Sequence, residues 1–271
     1  MSKEKQRHSN RNAQQDRTGR GKVKFNDRHA SKAQQGMDQI AADKLADSQD
    51  YNLVWFKPTP TQKDIIMSMC CNDLTAVQGS SGTGKSTTVI WQALQDLKRG
   101  MYKKVLFIKT PSEQGDDQIG YLTGDADQKL EAHFFSMRSI FHTFMSKEKL
   151  RMEEKHERIS FSIPNFVQGM TFDNCLIIID EMQSISVDTT KLLLERTGEG
   201  SRVVCLGDKN QRYSAKRRSD GFSHFVDMIT EVNGDGVRET IEPTMGYVEM
   251  TAKDNMRSDL SRRIVELYEQ D

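Results

Sequence analysis

Apolar residues in this chain follow two spacings. Four short runs, Leu74–Gln78, Lys104–Lys109, Leu176–Asp180 and Arg202–Leu206, are rich in Val, Ile and Leu and do not alternate strictly with polar residues. A strand with one wet face alternates, whereas a strand covered on both faces does not. The runs lie between polar or helical stretches, so they predict a parallel sheet with helices on both sides. Helical spacing predicts helices over Thr61–Met69, Lys85–Arg99, Ala126–Ser146, Thr189–Thr197, Phe222–Ile229 and Ser258–Glu269. The charged stretch Lys147–Arg158 fits an exposed helix or an inserted loop equally well. Pro243 and Gly246 break any helix over Val237–Glu249, which reads as a loop and a short strand.

Before about Tyr51 this patterning is absent. Residues 1–36 carry ten Lys/Arg and only three acids, a net of +7. The whole chain sums to zero, so residues 37–271 carry −7. With almost no apolar residues the basic segment cannot bury a core, and a mostly disordered arm over residues 1–50 is expected. Such an arm can neutralise nucleic-acid phosphates or simply be a solvated tail. Its Gly and Arg content leans toward RNA, although no regular RGG repeat occurs. Residues 51–271 are then expected to form a single α/β domain.

Composition excludes several classes. Hydrophobic residues are 35% of the 271 and charged residues 29%. No stretch approaches the ~20 consecutive apolar residues of a membrane span. The N-terminus has no apolar core that secretion machinery would read. Cys70, Cys71, Cys175 and Cys205 form no C-x-x-C pair, and two of them sit in apolar runs. A soluble protein of the reducing cytoplasm is expected. His133, His142 and His156 do not recur with Cys or Asp at ligand spacing, so no structural zinc is expected. The stripe Phe134, Phe135, Met137, Phe141, Phe144 and Met145 reads as core rather than a base-stacking platform.

The chemistry begins at Gly79-Ser80-Ser81-Gly82-Thr83-Gly84-Lys85-Ser86, which matches G-x-x-x-x-G-K-[ST] at every required position and is followed by Thr87. A buried-strand pattern precedes it and a helical pattern follows. Glycines let the backbone turn its N–H groups inward around phosphate oxygens. The helix starting at Lys85 turns its positive end toward the anion. In this reading Lys85 reaches the β- and γ-phosphates of ATP, and the Ser86 hydroxyl ligates Mg²⁺. The run Leu176–Ile179 places Asp180 at the carboxyl end of a buried strand, where open α/β sheets bind ligands. Asp180 is expected to hold Mg²⁺ through its water shell, and Glu181 to orient the attacking water as general base. Gln183, in D-E-x-Q, and Gln211, in G-D-x-x-Q, offer neutral amides that can sense a γ-phosphate. Gln62, 17 residues before Gly79, can read the adenine edge with one donor and one acceptor.

The order T-x-x-Q, G-S-S-G-T-G-K-S, L-I-I-I-D-E-M-Q, L-G-D-K-N-Q is similar to the nucleotide-binding domain of superfamily-1 helicases. It resembles still more the PhoH family of phosphate-starvation-inducible ATPases. Thr110–Gly124 resembles that family's segment after the second strand. Gly169–Asn174 resembles its G-x-T-F-x-N lead-in, and Asn255-Met256-Arg257-Ser258 its closing arginine. The basic tail and the G-D-D-Q-I-G-Y-L wording look most like phage-encoded members, which would place the protein in a host cytoplasm. Gln168 stands where the family has arginine, and Leu122-Thr123-Gly124 replaces its L-P-G. The resemblance implies a RecA-like P-loop NTPase fold, ATP and Mg²⁺ as cofactors, and helicase-like coupling to RNA or single-stranded DNA. Sixty residues follow Gln211, fewer than a second motor lobe of the usual ~100 or more. The resemblance therefore implies a homo-oligomeric ring such as a hexamer, with a neighbour supplying an arginine finger worth ~10³–10⁵ in rate. Arg257 is the first candidate for that finger, with Arg212 or Arg217 second. Competing readings are a nucleotide-gated scaffold with little turnover and a P-loop kinase. The kinase fits less well, because D-E-x-Q and G-D-x-x-Q occur together and no Arg-rich lid is evident.

Overall fold

A computed structural model describes residues 36–110, 126–167, 169–209 and 220–269. The chain divides into two units, residues 1–49 and 50–271. The first contributes helix α1 (36–48), which falls inside the expected basic arm.

The second unit is an α/β fold around a six-stranded sheet. In chain order its elements are α2 (Pro60–Cys71), β1 (Leu74–Gln78), α3 (Lys85–Lys98), β2 (Lys104–Lys109), α4 (Ala126–Phe141), α5 (Lys147–Lys155) and β3 (Ile159–Ser162). Then follow β4 (Cys175–Asp180), α6 (Val187–Leu194), β5 (Arg202–Gly207), α7 (Gly221–Ile229), β6 (Thr230–Val232), β7 (Arg238–Thr240), β8 (Met245–Glu249) and α8 (Asp259–Glu269). The strand order is β3-β2-β4-β5-β1-β8, every pairing parallel. β6 and β7 form a separate antiparallel hairpin. This is the RecA-like P-loop arrangement: the strand before the phosphate loop (β1) and the acidic strand (β4) are separated by one strand, β5.

The lack of alternation in the four apolar runs now has its cause. Successive residues of each central strand enter two different cores. Val77, Phe107, Ile178 and Leu206 pack with Ile65, Ile90, Leu94 and Phe141 on the α2–α3–α4 side. Ala76, Ile108, Ile177 and Cys205 pack with Phe222, Val226 and Met182 on the other face. Met137, Phe141 and Phe144 are fully buried, as core packing requires, whereas Phe135 is exposed.

Lys147–Arg158 resolves into α5 followed by a turn, and while Lys147, Glu148, Arg151 and Lys155 are exposed, two of its charged residues are not. Lys149 and Glu153 are buried and pair at 2.9 Å, and Arg158 reaches Glu153 at 3.3 Å. Burial of charges is tolerable when they are paired in this way. The segment 111–125, with its Leu122-Thr123-Gly124 departure, lies outside the described residues.

Candidate functional site

The carboxyl ends of β1, β5, β4 and β2 lie side by side and build one cavity of about 670 Å³. That is within the usual range for small-molecule sites. β1 delivers Gly79–Ser86. Gly82 and Gly84 have φ of 90° and 84°, where a side chain would be strained. Gly84 is the N-cap of α3, and no side chain caps that helix. Its first N–H groups and dipole are therefore directed at the loop. Inside the loop Thr83 Oγ1 donates to the Ser80 carbonyl at 3.0 Å. Lys85 Nζ donates to the Ser80 carbonyl at 2.9 Å and to that of Gly79. Burial pushes the Lys85 ammonium below the usual lysine range, and the carboxylates of Asp208, Asp180 and Glu181 oppose that shift.

β4 delivers the acidic pair. Asp180 is buried, and its Oδ1 accepts from the Ser86 hydroxyl at 3.3 Å and from the Glu181 backbone N–H at 3.1 Å. Glu181 has φ 55°, a left-handed conformation that costs a non-glycine residue ~1–3 kcal/mol and clusters at functional sites. Its Oε2 accepts from Gln183 Nε2 at 2.6 Å. The other end of the Gln183 amide accepts from the Asp208 backbone N–H at 3.1 Å, linking the ends of β4 and β5. Gln183 thus spans two protein groups and braces Glu181.

Gln62 is buried, and protein atoms engage both ends of its amide. It closes a capping box on Thr59, with the Thr59 N–H at 3.0 Å from Oε1. Its Nε2 donates to the Thr83 carbonyl at 3.3 Å and to Met256 Sδ at 3.2 Å. The sequence 255–257 lies on the same loop. Asn255 Nδ2 donates to the Ser81 carbonyl at 3.3 Å, and the Met256 N–H to that of Gly82 at 3.0 Å. The Arg257 stem packs so closely that a Cβ on Gly82 would meet Arg257 Cδ at 2.9 Å. Arg257, expected to serve a neighbouring subunit, lies in cis on its own phosphate loop. Gln211, Arg212, Arg217 and Gln168 lie outside the described residues.

The donors present fit a nucleotide phosphate and a hard divalent cation. Ser80 Oγ is buried in the loop with no hydrogen-bond partner among the described residues. Ser86 and Asp180 bring only oxygen donors, as Mg²⁺ prefers. Ser81 and Thr87 line the same cavity. A family model described as PhoH-like protein matches residues 56–269, more than half of the chain. The chain belongs to the PhoH-like family.

PhoH-like relatives are distant in sequence. A PhoH-like protein of Bacillus subtilis is 25% identical over 211 residues, covering 78% of this chain and 63% of the relative. One from Synechocystis is 24% identical over 208 residues, covering 77% and 60%. Protein PhoH of Escherichia coli is 24% identical over 194 residues, covering 70% and 51%. The chain thus spans less than two thirds of these relatives' length. Among solved structures, the Pyrococcus furiosus Hef helicase domain aligns with TM-score 0.39 and 12% identity, over 71% of this chain and 38% of that one.

Three site residues of this PhoH-like chain have no role assigned from sequence: Lys109, Asp208, although it lies within G-D-x-x-Q, and Asn255, although it lies within the closing segment. Each depends on non-local geometry. Lys109 carried one usable signal, since it is the charged residue ending an apolar run, the same position Asp180 holds on the adjacent strand.

Proposed function

We propose that this PhoH-like chain binds and hydrolyses ATP with Mg²⁺ and couples turnover to RNA or single-stranded DNA. The observation that carries the reading is the meeting of Ser86 and Asp180, 94 residues apart, at 3.3 Å. Neither motif is chemically complete alone. Together they offer phosphate donors, oxygen ligands for a divalent cation, and a carboxylate base within one cavity.

In this reading the loop N–H groups and the α3 dipole bind the phosphate chain, and Lys85 exchanges its loop carbonyls for phosphate oxygens. Ser86 and Asp180 hold Mg²⁺, which when bound neutralises charge on the phosphates. Glu181, fixed by its backbone conformation and by Gln183, accepts a proton from the attacking water. Arg257 supplies positive charge from the same subunit. The basic N-terminal segment is the first candidate for contact with nucleic-acid phosphates. The reading extends to cytoplasmic action and to a homo-oligomeric ring such as a hexamer. Arg257 being engaged in cis, Arg212 and Arg217 become the first residues to test for a trans contribution.

The test is steady-state ATP hydrolysis with and without single-stranded RNA, with Lys85→Ala as background. Stimulation that disappears in the variant supports a nucleic-acid-coupled ATPase. Hydrolysis indifferent to RNA and single-stranded DNA removes the coupling. Hydrolysis equal to background removes the enzymatic reading and leaves a nucleotide-gated scaffold.

A further inference from the structure

The acidic side of the cavity holds a cation that comes from neither motif. Lys109 ends β2 and is in register with Asp180 on β4. Its Nζ lies 3.4 Å from Asp180 Oδ2 and 3.8 Å from Glu181 Oε1, and its side chain is 21% exposed. Its carbonyl oxygen is hydrogen-bonded to His133 Nε2 at 3.0 Å, which anchors this strand end to α4. The four carboxylate oxygens divide their contacts. Asp180 Oδ1 takes Ser86 and the Glu181 N–H, Glu181 Oε2 takes Gln183, and the two remaining oxygens share Lys109.

An ammonium is a compact point charge on a flexible stem, without the fixed fork of arginine. It can hold two like-charged carboxylates together and then release one of them. A divalent cation held at Asp180 on the Ser86 side, by Oδ1, would compete with Lys109 at Oδ2 for the charge of the same carboxylate. We propose that Lys109 is a positioning residue that holds Asp180 and Glu181 before the metal arrives, yields Asp180 to it, and stays with Glu181 Oε1 to keep the base aimed. This rests on reading Asp180 as the metal ligand and Glu181 as the base. The consequence is a competition: removing Lys109 leaves two adjacent negative charges, so divalent metal binds the nucleotide-free protein more tightly while catalysis suffers.

The experiment is Mn²⁺ titration of the nucleotide-free full chain, followed by electron paramagnetic resonance of the free ion. It compares wild type, Lys109→Met, Lys109→Arg and Asp180→Asn. Lys109→Met is expected to tighten Mn²⁺ binding about tenfold, because a unit charge is removed at contact distance. Lys109→Arg is expected to stay within about twofold of wild type, because the charge is kept. In parallel, Lys109→Met should lower kcat for ATP in saturating Mg²⁺ with little change in KM. Lys109→Gln serves in the same assays if the methionine variant does not fold. Unchanged Mn²⁺ affinity in Lys109→Met, with binding lost in Asp180→Asn, overturns the role of Lys109 and leaves the metal site standing. Binding that survives in Asp180→Asn overturns the metal reading itself, and the proposal with it.

Discussion

Replacing Gln183 by leucine removes the amide that ties the acidic strand to β5. Gln183 is 6% exposed, and it bridges Glu181 Oε2 at 2.6 Å and the Asp208 N–H at 3.1 Å. Leucine is close in volume, so little cavity forms and the polar terms dominate. Asp208 is buried, and loss of the acceptor for its backbone N–H costs ~1–3 kcal/mol. The bond to Glu181 adds less to stability, because that side chain is 37% exposed and water can replace the donor. For a domain of this size the loss lowers Tm by roughly 2–12 °C. Catalysis should suffer separately if Glu181 is the base, as proposed, since its carboxylate loses a short charge-assisted bond and can adopt other rotamers. A fall in kcat of about 10–100-fold is expected, with KM changed less than threefold, as for loss of an interaction that matters in the transition state. Thermal melting and steady-state hydrolysis on one preparation check both effects. A Gln183→Leu variant with wild-type kcat would refute the argument that this amide positions Glu181, whatever its Tm.

Three further outcomes follow from particular contacts. Because Arg257 packs on its own phosphate loop, mixing Arg257→Ala with Glu181→Gln protein should restore no ATPase activity; recovery on mixing would mean the arginine acts across a subunit boundary. Burial pushes the Cys175 thiol up to about 11 and the Cys205 thiol up to about 12, whereas Cys70 and Cys71 are exposed. The reactive thiolates of Cys175 and Cys205 are therefore minor forms at pH 8 and grow only as pH rises toward those values. A thiol reagent should modify two cysteines in the native protein and four after denaturation, and four at the native rate would contradict the burial. Ile178→Ala, at a fully buried position of β4, should cost about 2–5 kcal/mol in urea unfolding, and a loss under 1 kcal/mol would show that the core collapses around the gap.

What could be read from sequence depended on how local its cause is. β1 and β2 coincide with apolar runs because both faces of each are covered, which erases alternation over a contiguous stretch. The edge strand β3, four residues with two only partly buried, carries no such run. The hairpin of β6 and β7 is three residues a side and mostly exposed, so its composition resembles a loop. α5 reads ambiguously because most of its residues are charged, and the ion pairing of Lys149, Glu153 and Arg158 that lets two of them be buried is a tertiary effect. At the site, the phosphate loop is contiguous and was legible whole. Lys109 needs the register of β2 on β4, and Asn255 needs the return of the chain onto the loop. The packing of Arg257 against Gly82 depends on the same return of the chain.

In the proposed function one cavity binds Mg-ATP, and Glu181 is the base for its hydrolysis. The most direct measurement is nucleotide affinity and hydrolysis side by side in wild type and Glu181→Gln. The variant should bind ATP within about threefold of wild type while kcat falls by about 10²–10⁴-fold, the usual contribution of a positioned base. Unchanged turnover in Glu181→Gln would contradict the assignment of the base, and loss of binding would contradict the division of labour between the phosphate loop and the acidic strand.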